Sequence, residues 1–537
     1  MSKEGFLFHR FQSFYMIRDK IEDIKRFDEV LKKLVENEMG FLIEKSGLSD
    51  QLPFTERLKI KKHERPGPER LRETIEELGS IYVKFGQILA QRPDLIPRRY
   101  CEKLEKLEDN VPAFDWSEAE EIIEEEIGLD HFENIDEDPI AAASIAQVHK
   151  ATLETGEDVV IKVKRPGIDE KVEQDLKILE FFTQQAEKHS KIAKNSDALK
   201  FVNQFSSWTR EELDLEREGL NAQIFKENLK EEENLKVPEI YPELNTEKVL
   251  VMEYVEGVKC NNTEKLKEMN IDGKDISDAA VKAGLRQSII DGFFHADTHP
   301  SNFLITEDSK IIYLDFGMMG NVSEKTGEKL GLLLLYLINE DIESIIDCLE
   351  ELGTLEENYS RENIEEIVEE KVLVLKNTSL KQTSITQQMF NLFVDVSKQG
   401  LKMPSNMALL GKNLVTMEGI ALTIYPDFRI QDSYEDIVKE TLKEINSPDK
   451  LAEDFTIDLI KNKELFTKLP TKLNNKLDSN DDREINITQD SQNIETLPAG
   501  LIISSGLVFA ASPFYPPLAI LGFGQLGLGL YLYRQSD

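Results

Sequence analysis

The segment "FFHADTHPSNFLITEDSKIIYLDFG" carries the residues best suited to chemistry. Asp297 and Asn302 are five residues apart in a loop that follows a helical stretch, and Asp315 opens an Asp-Phe-Gly triplet at the end of a strand. In phosphoryl transfer, the first aspartate orients or deprotonates the nucleophile, while the asparagine and the second aspartate hold Mg²⁺ against the phosphates. Oxygen ligands suit this hard cation. The spacing therefore predicts an ATP site with Asp297 catalytic and with Asn302 and Asp315 as metal ligands.

A transition-metal site is the alternative for the same loop. His295, Asp297 and His299 alternate along the chain, and imidazole and carboxylate groups both bind such metals. This alternative lacks a convincing third or fourth ligand elsewhere in the sequence. It also leaves the Asp-Phe-Gly triplet unexplained.

Lys162 is the second candidate for the nucleotide site. It lies inside the apolar run 159–163, which reads as the second of two strands joined by a turn. A lysine on such a strand pairs with the α- and β-phosphates of ATP and needs a glutamate to hold it. The sequence offers candidates on a helix over 169–188 and on a longer helix over 201–229, without choosing among Glu170, Glu173, Glu180 and Glu212.

The loop before these strands is rich in alanine where phosphate-binding loops are usually rich in glycine. It contains Ala141, Ala142, Ala143 and Ser144. Glycine permits a positive φ and a close approach of backbone to phosphate, whereas alanine confines the chain largely to negative φ. We therefore expect a stiffer, helix-like turn that donates the amides of Ala143 and Ser144, and the Ser144 hydroxyl, to the nucleotide.

The elements that must position these residues are both helical and extended. "KVLVMEYVEGV" predicts a buried strand ending at Gly257, residues 276–294 predict a helix, and "NFLITEDSKIIYLDFG" predicts two strands around a turn at 307–309. Helices dominate the rest of the chain to about residue 440. The pattern indicates an α+β fold without internal repeats.

The N-terminal part reads as helical. Phe27, Val30, Leu31 and Leu34 follow helical spacing, and further helices from 66 to 126 are interrupted around Pro93 and Pro97. We divide the chain into 1–65 (N-terminal helices), 66–137 (helical extension), 138–258 and 259–440 (two lobes), 441–496 (linker region) and 497–533 (C-terminal apolar segment).

Composition excludes some classes of function. Among 537 residues, 65 are basic and 102 acidic, and the formal net charge is −37, which disfavours nucleic acid as a partner. A solvated acidic surface, of the kind salt-adapted proteins carry, and a specific cationic partner are both compatible with this charge. The three cysteines are odd in number and far apart, so the sequence predicts neither a disulfide framework nor a zinc site. These features, and an N-terminus without a continuous apolar core, predict a cytoplasmic catalytic domain.

The C-terminal segment 497–533 contains no charged residue. At 1.5 Å per residue, 499–512 would reach about 21 Å and 517–533 about 26 Å, against about 30 Å of membrane hydrocarbon. Because Pro513, Pro516 and Pro517 divide the segment, we expect a tight transmembrane hairpin that anchors the protein. A buried apolar helix pair is the alternative.

Several of these motifs together resemble the UbiB (AarF-domain) family of atypical kinase-like proteins, over residues 70–320. "YVKFGQ" resembles its Lys-x-Gly-Gln signature, "AAASIAQVH" its alanine-rich loop, "VIKVKRPG" its lysine strand and "ELD" its Glu-x-Asp motif. "HADTHPSN" and "DFG" complete the set. Ser301 stands where the family often has glycine, a small change that leaves Asp297 and Asn302 in place.

The resemblance implies a bilobed protein-kinase-like fold with an N-terminal helical extension folded over the active site. It implies that Glu212 pairs with Lys162, and that Lys84 and Gln87 lie at the nucleotide pocket, where a protein substrate would otherwise bind. It further implies ATP-dependent chemistry linked to isoprenoid quinone metabolism, such as ubiquinone biosynthesis, or to other membrane lipids.

The expected function is that of a membrane-anchored, Mg²⁺-dependent atypical kinase or ATPase. Its expected partners are a membrane lipid or isoprenoid small molecule, the cell membrane, and enzymes of lipid biosynthesis. Two alternatives stay open: a nucleotide-binding pseudokinase scaffold that organises lipid-pathway enzymes, and a protein kinase acting in trans.

Overall fold

The computed structural model describes residues 24–45, 67–90, 92, 95–107, 111–189, 194, 198–269, 271, 273–357, 359–377, 385–404, 406–428 and 430–445. The linker sequence and the predicted membrane hairpin at 497–533 lie outside the described residues. Within the described ranges, no helix combines the length and the apolar character that crossing a membrane requires. The described residues up to Thr441 form one compact unit.

The first lobe is built on an antiparallel sheet of five strands. The strands are β1 (Phe132–Ile135), β2 (Ala141–Ala142), β3 (Ala146–Leu153), β4 (Asp158–Lys164) and β6 (Val249–Glu253), in the order β1-β3-β4-β6, with β2 pairing to β3. Side chains alternate across β4, so Val159, Ile161 and Val163 are fully buried on one face. They pack against the helix Trp116–Glu126, whereas Lys162 projects from the opposite face. The predicted pair of strands around Lys162 is confirmed.

The N-terminal helices form their own core beside this sheet. They are α1 (Ile24–Glu36), α2 (Gly40–Lys45), α3 (Pro68–Leu78), α4 (Ser80–Ala90), α5 (Arg98–Leu104) and α6 (Trp116–Glu126). The predicted apolar face of α1 is buried, and it packs against Phe181 of α7 (Ile168–His189). Arg26 fixes this contact, because its Nε lies 2.7 Å from Asp175 Oδ1 and its guanidinium donates to the Leu78 carbonyl at 2.6 Å.

The single helix predicted over 201–229 is wrong. The chain forms α8 (Ala198–Glu212) and α9 (Leu215–Asn228) instead, with the break at Leu213 and Asp214. Asp214 begins α9 as its N-cap, and its side chain accepts a hydrogen bond from the Arg217 amide at 3.1 Å. An aspartate at this position satisfies a helix-terminal amide that would otherwise lack a partner, so it favours a new helix start over continuation.

The second lobe contains a four-stranded sheet and most of the remaining helices. Strands β5 (Leu235–Lys236), β10 (Ile311–Tyr313), β9 (Phe303–Ile305) and β7 (Val258–Lys259) lie side by side in that order, and β8 (Phe293–His295) pairs with β11 (Met319–Asn321). The turn between β9 and β10 includes Ser309 at φ 63°, as expected for a tight turn. The predicted strand pair before the Asp-Phe-Gly triplet is confirmed.

The helix predicted over 276–294 ends earlier, because strand β8 starts at Phe293. The helices of this lobe are α10 (Thr263–Glu268), α11 (Gly273–Ile289), α12 (Glu324–Ile338), α13 (Ile342–Leu352), α14 (Arg361–Asn377), α15 (Ile385–Ser397), α16 (Asn406–Ile424) and α17 (Ile430–Ile445); the pair β12 (Thr354–Leu355) and β13 (Leu401–Lys402) completes it. Gly292 makes the turn from α11 into β8 at φ +63°, and a Cβ there would lie 2.7 Å from the Val322 carbonyl oxygen. Only glycine fits both the conformation and the space.

Candidate active site

The centre of the site is an ion pair between Lys162 and Glu218. The Lys162 Nζ lies 2.7 Å and 2.8 Å from the two carboxylate oxygens of Glu218, and 3.7 Å from Asp315 Oδ1. The Glu218 side chain is completely buried. Burial alone would lower the pKa of Lys162, but the carboxylates of Asp315 and Glu218 raise it above its ordinary value. The ammonium group is therefore charged at the point where it would meet phosphates.

The predicted pairing of Lys162 with Glu212 is wrong in this structure. The partner, Glu218, lies six residues further along the chain, beyond the helix break at Asp214. A signal for it exists in the sequence, because Leu215, Ala222 and Phe225 share one face of α9 and Glu218 interrupts that apolar face. Of the other candidates, Glu173 and Glu180 contact Arg210 instead.

Helix α9 also holds the Asp-Phe-Gly triplet in place. The Phe316 amide donates to Glu218 Oε1 at 3.4 Å, and the Asn221 side chain donates to the Phe316 carbonyl at 3.0 Å. Asp315 Oδ1 accepts from the Gly317 amide at 2.9 Å. Burial opposes ionisation, but Lys162 and the Gly317 amide lower the pKa of Asp315 below its ordinary value. Asp315 is therefore an ionised carboxylate with 40% of its side chain exposed.

Strand pairing brings the Asp297 loop next to Asp315. Strand β8 precedes the loop and pairs with β11, which follows the triplet, so that His295 lies opposite Met319. The Leu314 amide donates to the Asn302 carbonyl at 3.1 Å, and the Asn302 side chain donates to the Asp297 carbonyl at 2.9 Å. The predicted site residues Asp297, Asn302, Asp315 and Lys162 therefore converge on one cleft.

Asp297 has a partner that the sequence did not suggest. Lys412 Nζ of helix α16 lies 3.0 Å from Asp297 Oδ1. Lys412, with a smaller contribution from Lys84, holds the pKa of Asp297 well below its ordinary value against the opposing effect of burial. No motif spacing links residues 297 and 412, so only the packing of α16 reveals the contact.

The structure does not support the transition-metal alternative. His295 is buried, and burial lowers the pKa of its imidazole, so a neutral ring donates from Nε2 to the Asp315 carbonyl. His299 Nδ1 contacts the Ser301 hydroxyl at 2.7 Å. Within the described ranges, no three histidine, cysteine, aspartate or glutamate side chains are grouped closely enough to hold a metal.

Asp315 and Asn302 do fit Mg²⁺ bound together with a nucleotide. Mg²⁺ usually takes one or two protein oxygens and completes its coordination with water and phosphate oxygens. Asp315 supplies an ionised, partly exposed carboxylate, and Asn302, whose backbone carbonyl accepts from the Leu314 amide, would supply an amide oxygen. The ion would neutralise negative charge on the phosphates of ATP.

Lys84 reaches the same cleft from the N-terminal extension. Its ammonium group pairs with Glu212 Oε2, and both side chains are largely buried. Glu212 lies directly beside the triplet, because a Cβ at Gly317 would be only 3.0 Å from Glu212 Cγ. Glu212 is thus a neighbour of the nucleotide site, although it holds Lys84 rather than Lys162.

Gln87 and Gly86 position helix α4 within the extension. The Gln87 side chain donates to the Leu107 carbonyl at 3.0 Å, and a Cβ at Gly86 would lie 2.5 Å from the Leu107 side chain. Glycine at 86 therefore permits a close approach that a larger residue would prevent. The contact seen for Gln87 is structural, and its predicted contact with nucleotide stays a prediction.

The alanine-rich loop is extended, so the predicted helix-like turn is wrong. Ala141 and Ala142 pair with Val148 and Gln147 of β3, and the Ala143 amide donates to the Ala146 carbonyl at 2.9 Å. Ladder hydrogen bonds with β3 favour a tight hairpin over a helical turn. No residue of this loop has a positive φ, as expected for alanine. The Ala143 amide is used inside the hairpin, and Ser144 is buried.

Comparison with known proteins is consistent with this geometry. Residues 106–349 match the model of the ABC1 atypical kinase-like domain, and residues 370–429 match that of the UbiB helical domain. The uncharacterized protein slr1919 of Synechocystis is 34% identical over 377 residues, which cover 69% of this chain and 66% of that protein, just under two thirds of its length. The probable protein kinase UbiB of Azotobacter vinelandii is 31% identical over 401 residues, which cover 73% of this chain and 75% of that protein.

A solved structure, the complex of Rv3197 with erythromycin from Mycobacterium tuberculosis, is similar over 68% of this chain and 93% of that one, with 22% identity and a TM-score of 0.48. The family assignment depends on the two domain matches and on the identity to UbiB. The chain belongs to the ABC1/UbiB family of atypical kinase-like proteins.

Proposed function

We propose that this protein is a membrane-anchored, Mg²⁺-dependent atypical kinase or ATPase that acts in isoprenoid quinone or other membrane-lipid metabolism. The observation that carries the catalytic part is the convergence of three charged groups. Lys162 Nζ binds both carboxylate oxygens of Glu218 and lies 3.7 Å from Asp315 Oδ1. A site for ATP needs such a lysine for the phosphates and such an aspartate for their metal ion.

Each side chain has a distinct task in this proposal. Lys162, held by Glu218, binds the α- and β-phosphates of ATP. Asp315 and Asn302 hold Mg²⁺, which offsets the charge of the phosphates. Asp297 remains ionised and orients the attacking hydroxyl group or water molecule.

The lipid part of the proposal is supported by the family resemblance and by the uncharged segment 497–533. Its test is phosphate release from ATP by detergent-purified full-length protein, with and without anionic or isoprenoid-bearing liposomes. We expect Mg²⁺-dependent release that rises with the liposomes containing the isoprenoid. Release that is equal with neutral, anionic and isoprenoid-bearing liposomes would contradict the lipid assignment while leaving the ATPase assignment intact.

The pseudokinase scaffold predicts a different result in the same assay. It requires intact nucleotide binding with turnover too slow to detect under every lipid condition. The ionised Asp297 and Asp315 favour chemistry over a scaffold. A protein kinase acting in trans requires an open substrate groove, and the Lys84–Glu212 pair beside Gly317 disfavours it.

Deletion of the C-terminal segment tests the membrane anchor. A protein ending at residue 495 lacks the whole uncharged segment but retains every residue of the site. We expect it to stay in the supernatant after membrane sedimentation and to bind nucleotide like the full chain. Equal sedimentation of the two proteins with membranes would show that the anchor lies elsewhere.

Replacement of Lys84 tests whether the extension restricts the site. Lys84→Ala removes the cation that pairs with Glu212, and α4 should then hold less firmly against the cleft. We expect tighter nucleotide binding or the appearance of autophosphorylation, measured as nucleotide affinity and incorporated phosphate beside the wild type.

Two further variants serve as controls for the Lys84→Ala experiment. Glu212→Gln breaks the same pair from the other side and should reproduce the Lys84→Ala result. Lys103→Ala breaks an exposed pair with Glu69 on the neighbouring helices and should change nothing. Efficient phosphorylation of added protein substrates by the wild type, unchanged in Lys84→Ala, would show that the extension does not restrict the groove.

A further inference from the structure

We propose that Lys412 is a positioning residue of the active site, supplied by the helical domain that follows the kinase-like domain. It holds the Asp297 carboxylate and places a positive charge next to the position that the terminal phosphate of ATP would occupy. The inference depends on the proposed function, since it assigns Lys412 a task in the same reaction.

The contact between Lys412 and Asp297 is partly buried. The two atoms, Nζ and Oδ1, are 3.0 Å apart, and the side chains are 20% and 40% exposed. Charges interact more strongly in such a setting than on an open surface, where ion pairs contribute little. The pair also joins residues from two separately matched domains, 106–349 and 370–429.

Contacts near both ends and in the middle of helix α16 hold this helix, and with it Lys412, in place. At its start, the Asn406 side chain donates to the Asn321 carbonyl of β11 at 2.9 Å. Near its end, the Ser277 hydroxyl of α11 donates to the Ala421 carbonyl at 2.8 Å. Between them, a Cβ at Gly284 of α11 would lie only 3.1 Å from Met417, so the two helices pack closely. The Lys412 side chain therefore extends from a closely packed helix beside the Asp297 loop.

The loop itself cannot supply this charge. Its sequence from Asp297 to Asn302 is "DTHPSN", which contains neither lysine nor arginine. Lys84 is nearby but is already paired with Glu212. An ionised aspartate repels the terminal phosphate of ATP, and a fixed ammonium group between them offsets that repulsion as charge develops in the transition state. Lys412 is placed to do this.

Lys412→Met removes the charge and keeps an unbranched side chain of similar length. We expect kcat for Mg²⁺-dependent ATP turnover to fall by about ten- to a hundredfold, the scale of a misplaced catalytic group, and KM for ATP to rise because the terminal phosphate loses a positively charged neighbour. Lys412→Arg should restore most of the rate because it retains the charge. Lys371→Met is the matched control, since Lys371 pairs with Asp395 at 2.9 Å on helices α14 and α15 and is similarly buried.

A binding measurement tests the same point without turnover. A non-hydrolysable ATP analogue carries the terminal phosphate that ADP lacks. We expect Lys412→Met to weaken binding of the analogue severalfold more than binding of ADP, and Lys412→Arg and Lys371→Met to preserve the wild-type ratio. If Lys412→Met does not fold, Lys412→Gln takes its place in both measurements.

The outcomes separate this inference from the proposed function. Absence of Mg²⁺-dependent turnover in the wild type would overturn the proposed function, whereas the analogue-to-ADP ratio would still test Lys412. Wild-type kcat and an unchanged ratio in Lys412→Met would overturn the role of Lys412 alone. An equal loss in the Met and Arg variants, with an unchanged ratio, would show that Lys412 only supports the fold.

Discussion

Replacing Asp315 by asparagine should abolish Mg²⁺-dependent ATP turnover while the fold survives. The amide keeps an oxygen that can accept the Gly317 N–H, which now lies 2.9 Å from Oδ1, so the local backbone retains its hydrogen bond. The variant loses the negative charge that would bind the metal. We expect a loss on the order of a thousandfold in kcat, because a catalytic metal ion stabilises the transition state by several kcal/mol.

Phosphate release at saturating ATP and Mg²⁺ measures this effect. Asp308→Asn is a suitable control, because Asp308 lies in the same strand–turn–strand unit but is exposed and contacts Thr306 and Lys310. It should retain wild-type turnover and the same circular dichroism spectrum. Undiminished turnover in Asp315→Asn would contradict the phosphoryl-transfer assignment altogether.

Replacing Glu218 by glutamine should both destabilise the protein and impair the site. The variant leaves the Lys162 ammonium group buried with Asp315, 3.7 Å away, as its remaining charged partner among the described residues. Removing one member of a buried ion pair commonly costs about 3 kcal/mol or more of unfolding free energy. Because Lys162 would also lose its fixed position, we expect weaker ATP binding in the folded variant.

Two controls on the same stretch of chain identify the cause. Glu216→Gln removes an exposed charge from the same helix and should change the free energy of unfolding by less than about 0.5 kcal/mol. Glu212→Gln distinguishes the pairing seen here from the one first predicted. If Glu212→Gln weakened ATP binding through Lys162 and Glu218→Gln did not, Glu212 would be the functional partner after all.

The predictions that succeeded rest on short-range patterns. The apolar run 159–163 around Lys162 predicts a strand, and the structure confirms it as β4. The spacing of Asp297, Asn302 and Asp315 predicts a loop and a pair of strands that bring these residues together, which the pairing of β8 with β11 and of β9 with β10 achieves. Such features depend on local backbone periodicity and on hydrogen bonds between neighbouring strands.

The predictions that were wrong concern segments where a second interaction competes with the local conformational preference of the chain. The alanine-rich loop avoids positive φ as expected, but pairing with β3 overrides any helical preference of alanine. The long helix predicted over 201–229 divides at Asp214, because an aspartate that can cap a new helix competes with helix continuation. The pairing of Glu212 with Lys162, which the family resemblance implied, is wrong because helix packing brings Glu218 to Lys162 and Lys84 to Glu212.

The sequence by itself determined the class of chemistry, since the lysine strand, the Asp-x4-Asn loop and the Asp-Phe-Gly triplet each need only local order. Tertiary structure alone decided which charges meet: Lys162 with Glu218, Lys84 with Glu212, and Lys412 with Asp297. These partners are 56, 128 and 115 residues apart in the chain. Their contact depends on how whole helices pack against the two lobes, and residue spacing along the chain does not encode that packing directly.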